Sequence, residues 1–148
     1  MQFELDRFHT AQNSDNFYYN YSITNFESAI KELESGKKDS HWIWYIFPQI
    51  KGLGKSHEST YYGLSGLEEA RAYLDDPILA ERLYNCFKLS IEINANLGSV
   101  FRDDDKKVWA CATLFSLANA NHSELFDLLL EKHFNNNKHS ATLEILAL

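Results

Sequence analysis

Apolar residues recur three or four positions apart over most of the chain, the spacing of one face of an α-helix. The clearest stripes are Phe26, Ala29, Ile30 and Leu33, and then Leu79, Leu83, Phe87 and Ile91. We predict that the second stripe belongs to the longest helix, from Pro77 to Asn96, with Gly98 ending it. Weaker stripes predict helices near residues 5–12, 65–74, 103–117 and 123–130, and residues 142–148 form a last short apolar segment.

Residues that favour helix ends support these stripes. Three pairs have the spacing of a capping box or of an N-cap before proline: Thr24 with Glu27, Ser65 with Glu68, and Asp76 with Pro77. Gly36 stands where a glycine commonly ends a helix. The three aspartates at 103–105 place negative charge where a helix macrodipole favours it. The pattern predicts an all-α fold of about six to eight helices in one domain, residues 1–148.

Two segments are less regular. The apolar run from His41 to Phe47, stopped by Pro48, is too short for its period to distinguish a buried helix from a buried strand. Its helical surroundings favour a helix. Residues 49–63 contain three glycines and predict a long ordered loop, and a helical turn over Glu58 to Tyr62 is the alternative for its last part. Residues 13–22, rich in tyrosine, predict a second ordered loop.

Composition narrows the possible partners. The 148 residues carry 21 acidic against 14 basic side chains, and this net charge of −7 would repel a phosphate backbone, so no DNA partner is expected. We find neither a signal peptide pattern nor an apolar run long enough for a membrane span, which predicts a cytoplasmic protein. Cys86 and Cys111 form no Cys-x-x-Cys pair, and the six histidines lack metal-site spacing. We therefore predict buried, reduced thiols, no metal and no cofactor.

The glycine-rich segment from Gly52 to Ser56 resembles the end of a phosphate-binding P-loop. A P-loop needs a further glycine where this chain has Gln49, so that motif is absent. A weaker form remains, in which loop N–H groups, Lys55 and Ser56 hold a phosphate or carboxylate. The alternative is a surface turn in which Gly52 and Gly54 supply positive φ angles beside a solvated lysine.

The aromatic run supplies the other candidates. In an apolar setting His41 would stay neutral and serve as a general base, although a core histidine bonded to a carbonyl is the alternative. Trp42 and Trp44 have rings that stack on a base or sugar, or that simply fill the core. The predicted catalytic residue is His41, and the predicted ligand-binding residues are Trp42, Trp44, Gln49, Gly52, Gly54, Lys55, Ser56 and Tyr62.

Short motifs spread over nearly the whole chain carry a family resemblance. They are Asp6-Arg7-Phe8, Ala11-Gln12, Ser40 to Gln49, Gly52-Leu53-Gly54, Tyr62-Gly63-Leu64, Glu68 to Leu74, Arg82-Leu83, Lys107 and Thr113-Leu114-Phe115. In these motifs the chain resembles the domain of unknown function 1810 family, small multihelical bacterial proteins that often carry a calpastatin label. The resemblance implies a compact helical fold and names no settled activity. In its glycine- and lysine-bearing loop beside a tryptophan, the chain also distantly resembles the NADAR group of helical enzymes that process ADP-ribose.

Two functional hypotheses follow. In the first, residues 41–62 form a pocket for a phosphorylated or nucleotide-like small molecule, and the protein is an ADP-ribose-related hydrolase in which His41 does acid–base work and Lys55 holds the anion. In the second, exposed rings of the aromatic cluster form a hot spot for a protein partner. Whether the protein is an enzyme stays open at this point.

Overall fold

The computed structural model describes residues 2–14, 24–119 and 122–148. This part of the chain forms ten α-helices and one 3-10 helix, Arg102–Asp104. The α-helices, in order from α1 to α10, are Asp6–Gln12, Phe26–Glu34, Ile43–Ile46, His57–Tyr61, Leu67–Asp75, Pro77–Ile91, Leu97–Phe101, Asp105–Ala118, Glu124–Phe134 and Ser140–Leu146. Seven of them have seven or more residues, which confirms the predicted all-α class and helix number. Most of the tyrosine-rich loop predicted at 13–22 lies outside the described residues.

The helix starts agree in part with the predicted caps. The Asp76 carboxylate accepts hydrogen bonds from the backbone N–H groups of Ile78 and Leu79, as predicted for the start of α6. The prediction for α2 is wrong by one residue, because Asn25 rather than Thr24 accepts from the N–H of Ser28. The Thr24 carbonyl instead accepts the hydroxyl of Tyr45, a contact between distant segments that no local pattern indicates.

The predicted capping box at Ser65 and Glu68 is also wrong. Gly66 precedes α5 without a side-chain cap. The N–H of Ser65 instead donates to the carboxylate of Glu69, which is buried, at 2.7 Å. Glu69 forms an ion pair with Arg7 at 3.0 Å. This contact explains why Glu69, rather than the adjacent Glu68, lies against the backbone of Ser65.

The longest helix, α6, ends earlier than predicted. It stops at Ile91, and Asn96 caps α7 by accepting from the N–H of Gly98. Gly98 therefore lies inside α7 and does not end α6. Gly36 does end α2, with the positive φ of 81° expected of a glycine in that position.

The core is one cluster of apolar side chains around α8, which packs against α5 and α9. Nine of the fourteen residues of α8 are buried, so this helix is covered on nearly every side. Cys86 on α6 and Cys111 on α8 are free, fully buried thiols, as predicted. Burial raises the pKa of both thiols, which keeps them protonated and unreactive. No helix in the described ranges is long and apolar enough to cross a membrane.

Candidate functional site

The aromatic run around His41 forms a short helix, as predicted. Helix α3 is a single turn whose neighbours Trp42 and Phe47 are fully buried against Phe101. Within the turn, Ile43, Tyr45 and Ile46 point into the core, whereas Trp44 is half-buried. The turn therefore serves to hold one indole ring at the surface of the aromatic core.

The three tryptophans differ in how their indole N–H groups are satisfied. Trp42 donates to the Glu32 carboxylate at 3.0 Å, and Trp109 donates to the carbonyl of Asn137 at 2.7 Å. Within the described residues, the N–H of Trp44 has no hydrogen-bond partner. A tryptophan that is largely buried normally finds one. Trp44 is thus the indole that is left available to another molecule.

Glu32, on the last turns of α2, fixes the chain just before α3. One carboxylate oxygen accepts the N–H groups of Asp39 at 2.6 Å, Ser40 at 2.9 Å and the Trp42 indole. Burial acts to raise the pKa of Glu32, but these hydrogen bonds outweigh it and lower the pKa below its ordinary value. The turn over residues 39–42 is therefore rigidly attached to α2.

Two lysines converge on Asp104. Lys38 is 5% exposed, and its ammonium group lies 3.0 Å from one Asp104 oxygen and donates to the carbonyl of Ser40. Lys107 lies 2.9 Å from the other oxygen, and its ammonium group is 5.7 Å from the centre of the Trp44 ring. Burial acts to raise the pKa of Asp104, but the two lysines lower it.

These groups form one side of an open cleft with a volume of about 570 Å³, including the solvent at its mouth. Its walls are Lys38, Asp39, Ser40, His41, Trp44, Phe101, Arg102, Asp103, Asp104 and Lys107. At the floor, two lysines face one aspartate, so the sheltered part of the cleft has an excess of one positive charge. The rim ion pair between Asp39 and Arg102 spans 3.6 Å with both side chains 60% exposed, so solvent screens it.

Arg102 at the rim has a backbone conformation that is unusual for a residue with a side chain. Its φ is 57° and its ψ is −128°, between the end of α7 and the start of the 3-10 helix. Such conformations are costly and concentrate at binding and active sites. The turn that carries Arg102 into the cleft is therefore strained.

A smaller cavity lies on the other side of Trp44, under the loop between α3 and α4. Its walls are Trp44, Gln49, Ile50, Leu53, Gly54, Ser59, Tyr62 and Gly63, and its volume is about 240 Å³ including open space. Only about one water molecule fits its enclosed part. We call it the loop cavity. As it stands, it is too small for a nucleotide-like ligand.

The structure divides the predicted site residues among four places. Trp44 lines both cavities, His41 lines the cleft, and Gln49, Gly54 and Tyr62 line the loop cavity. Trp42 is in the core. The remaining predicted residues, which line neither cavity, are Gly52, Lys55 and Ser56.

The geometry corrects several of the reasons given for these residues. His41 is exposed, so the apolar surrounding expected for it is absent. Lys55 is exposed as well, while Ser56 caps α4 by accepting the N–H of Ser59. Gly52 has the predicted positive φ of 108°, but Gly54 does not. A side chain at Gly54 would come within 2.8 Å of the Ser59 hydroxyl, and this crowding accounts for the glycine.

Another group of motif residues holds α1 in place, and we call it the anchor cluster: Arg7, Gln12, Glu69, Tyr73 and Arg82. The Arg7 guanidinium donates to Glu69 and to the carbonyls of Glu4, Tyr61 and Gly63. The buried Gln12 amide donates to the Tyr45 carbonyl and to the Tyr73 hydroxyl, and it accepts from Arg82. Most donors and acceptors of these side chains are therefore used within the fold.

Sequence reasoning missed most of the cleft. Lys38, Arg102 and Asp104 were not among the predicted site residues, and Lys107 entered only as a motif residue. The run of three aspartates before two lysines at 103–107 is the signal that was present, and it was interpreted as helix-end charge alone. Nothing local indicates that Lys38 reaches Asp104, which is 66 positions away.

The fold and the motifs place the chain in a class of small all-α proteins, and comparison shows which family this is. The model of the family described as a protein of unknown function, DUF1810, matches residues 2–146, and the chain belongs to that family. It is similar to the crystal structure of the conserved hypothetical protein Rv1873 from Mycobacterium tuberculosis, at 34% identity with a TM-score of 0.86. The match covers 97% of this chain and 96% of that one. No curated protein matches.

Proposed function

We propose that the protein binds a phosphorylated, nucleotide-like small molecule in the cleft beside Trp44. The observation that carries this proposal is the floor of the cleft, where Lys38 and Lys107 share Asp104 next to a half-buried indole with no hydrogen-bond partner in the described residues. Without the open solvent at its mouth the cleft has a volume of about 220 Å³, less than sites that enclose a whole drug-sized ligand, so it suits the phosphate end of such a molecule with the rest extending from the mouth. The lining as a whole has three acidic and three basic side chains, but at the floor two lysines face Asp104 alone, which favours an anion there. The indole favours a flat or sugar-like group beside it.

The two lysines have different roles in this proposal. Lys38 is buried and engaged by Asp104 and the carbonyl of Ser40, so it sets the charge of the floor without moving. The Lys107 side chain is 40% exposed, and its ammonium group is free to turn from Asp104 to a ligand phosphate. Arg102 at the rim supplies a second mobile cation. The overall charge of −7 opposes anions at long range, so the attraction is confined to the cleft.

Hydrolysis of an ADP-ribose-like compound is the more specific form of this function. His41 lines the cleft, is exposed, and has no hydrogen-bond partner in the described residues, so its imidazole is free to exchange a proton with a bound molecule. A His41→Ala variant that keeps binding but loses turnover of ADP-ribose would support this form. The hot-spot alternative is weakened, because Trp42 and Phe47 are fully buried and offer no surface to a partner.

Calorimetry with ADP-ribose, adenosine monophosphate and inorganic pyrophosphate tests the proposal. Lys107→Ala should weaken binding about tenfold or more, since one charge-assisted hydrogen bond is lost. Lys106→Ala is the matched control: it makes the same charge change on the same helix, but its exposed side chain does not line the cleft. Binding should also weaken as ionic strength rises.

Three outcomes would overturn the proposal or move the site. Absence of binding by all three compounds refutes it. Equal losses in Lys107→Ala and Lys106→Ala would show a general charge effect rather than a site. If Lys55→Ala weakens binding and Lys107→Ala does not, the anion site lies in the glycine-rich loop, as the sequence predicts.

A further inference from the structure

Trp44 is the wall between the cleft and the loop cavity. Within the described residues it is the one side chain that lines both spaces. In the cleft its ring lies 5.7 Å from the Lys107 ammonium group, and it lines the loop cavity together with Gln49 and Tyr62. With its N–H unbonded, the indole can leave this position without giving up a hydrogen bond.

The loop cavity contains polar groups that the fold leaves unsatisfied. The Tyr62 hydroxyl and the Gln49 amide oxygen have no hydrogen-bond partner in the described residues, and the Gln49 amide nitrogen has only the Phe47 carbonyl at 3.3 Å. Both side chains are half-buried. By contrast, the core hydroxyls of Tyr45 and Tyr73 are bonded, at 2.6 and 3.1 Å. Half-buried polar groups without partners are costly unless water or a ligand satisfies them.

We propose that the loop cavity is a second subsite, for the ring of a nucleotide-like ligand whose phosphate lies in the cleft, and that Trp44 swings aside to admit it. This inference rests on the proposed function. A carboxamide and a phenol hydroxyl flanked by Ile50 and Leu53 suit the polar edge and flat faces of a nucleobase or nicotinamide ring. An indole is comparable in size to a purine, so its displacement provides the room that the closed cavity lacks.

The same movement prepares the phosphate site. When the indole moves away, the Lys107 ammonium group loses its contact with the Trp44 ring. It then binds an anion more readily. Ring entry and phosphate capture therefore favour each other. A ligand with both parts should bind more tightly than either part alone, and Trp44 becomes the residue that selects for the ring.

The experiment compares adenosine monophosphate with inorganic pyrophosphate on the full chain by calorimetry. Tyr62→Phe keeps the ring that packs against Phe8 and Tyr45 and removes only the hydroxyl. We expect it, and likewise Gln49→Leu, to weaken the nucleotide about tenfold while leaving pyrophosphate affinity unchanged. Tyr61→Phe, which removes an exposed hydroxyl next to it, is the matched control and should change neither.

Tryptophan fluorescence provides an independent readout. The nucleotide should shift the emission of the native protein more than pyrophosphate does, and Trp44→Phe should lose that difference. Two results would refute the second subsite and leave the phosphate site standing. In the first, pyrophosphate binds and the nucleotide binds no more tightly. In the second, Gln49→Leu and Tyr62→Phe lower the affinity for both compounds equally. If neither compound binds, both proposals fall.

Discussion

The anchor cluster and the cleft are built from similar residues, yet they differ in whether those residues are satisfied. In the anchor cluster, Arg7 donates to four oxygen acceptors and Gln12 uses both ends of its amide. In the cleft, Trp44 and His41 have no hydrogen-bond partner among the described residues, and Arg102 is 60% exposed. Motif residues of this chain thus divide into those whose polar atoms are bonded within the fold and those whose polar atoms have no partner among the described residues.

The difference matters because both regions contain the motifs that identify the family. A motif arginine such as Arg7 would be a reasonable guess for an anion site from sequence alone. Four of its five N–H groups donate to these acceptors, and its side chain is only 10% exposed, so it has little left to offer an anion. Satisfaction of polar atoms, rather than membership of a motif, is the criterion that separates structure from function here.

The largest expected effect is on the anchor cluster. Glu69→Ala should lower the free energy of unfolding by about 3 kcal/mol, because it removes one partner of a buried ion pair and frees the N–H of Ser65. Urea denaturation measures this. Glu68→Ala, at the exposed neighbouring position, should change stability by less than about 0.5 kcal/mol. Similar values for both variants would remove the distinction between the two regions.

A smaller effect is expected at the floor of the cleft. Asp104→Asn should cost about 2 kcal/mol at neutral pH, because the buried Lys38 loses its charged partner. Since the pKa of Asp104 is lowered in the fold, its contribution is complete above the ordinary value of 3.8 and is lost as the pH falls below it.

Acid titration of stability checks this sign. The native protein and Asp104→Asn should differ in stability at neutral pH and converge as the pH falls below 3.8. The exposed Asp103→Asn variant serves as the control and should follow the native protein at every pH. If the native protein and Asp104→Asn still differ in their free energy of unfolding in acid, the Asp104 carboxylate does not act through its charge.

The smallest expected effects compare two tryptophans two residues apart. Trp42→Phe should cost about 1.5 kcal/mol, since it removes the N–H that Glu32 accepts in the core. Trp44→Phe should cost about 0.5 kcal/mol or less, because its N–H has no partner to lose in the described residues. Thermal and urea unfolding of the two variants measure the contrast. If Trp44→Phe lowers the free energy of unfolding more than Trp42→Phe does, Trp44 has a structural role like that of the anchor cluster.

Most of the fold was predictable because helical stripes and strong caps are local. Asp76 before Pro77 and Gly36 after α2 act within one turn of chain, and both were predicted correctly. The errors arise where a distant residue decides. The Tyr45 hydroxyl donates to the carbonyl of Thr24, and Arg7 forms its ion pair with Glu69 rather than with Glu68. The capping residues therefore differ from those that the local pattern favours.

The site was predictable only on the side formed by α3. The aromatic run pointed to Trp44 and His41, and both line the cleft. The opposing side comes from residues 101–107, which the helix pattern accounts for without any binding role. Lys55 was chosen because two glycines precede it, yet its side chain is exposed and lines neither cavity. Sequence spacing gives backbone shape, whereas convergence of charges depends on tertiary packing.

Arg102 has a consequence for engineering this protein. Glycine adopts its positive φ without penalty, so Arg102→Gly should stabilise the chain by about 1 kcal/mol while removing a cation from the rim. A selection for heat resistance would favour that replacement early, and the resulting variants would lack the rim cation that the proposed function assigns to ligand binding. Under the proposed function, the rim of the cleft is thus the place where stability and ligand binding oppose each other.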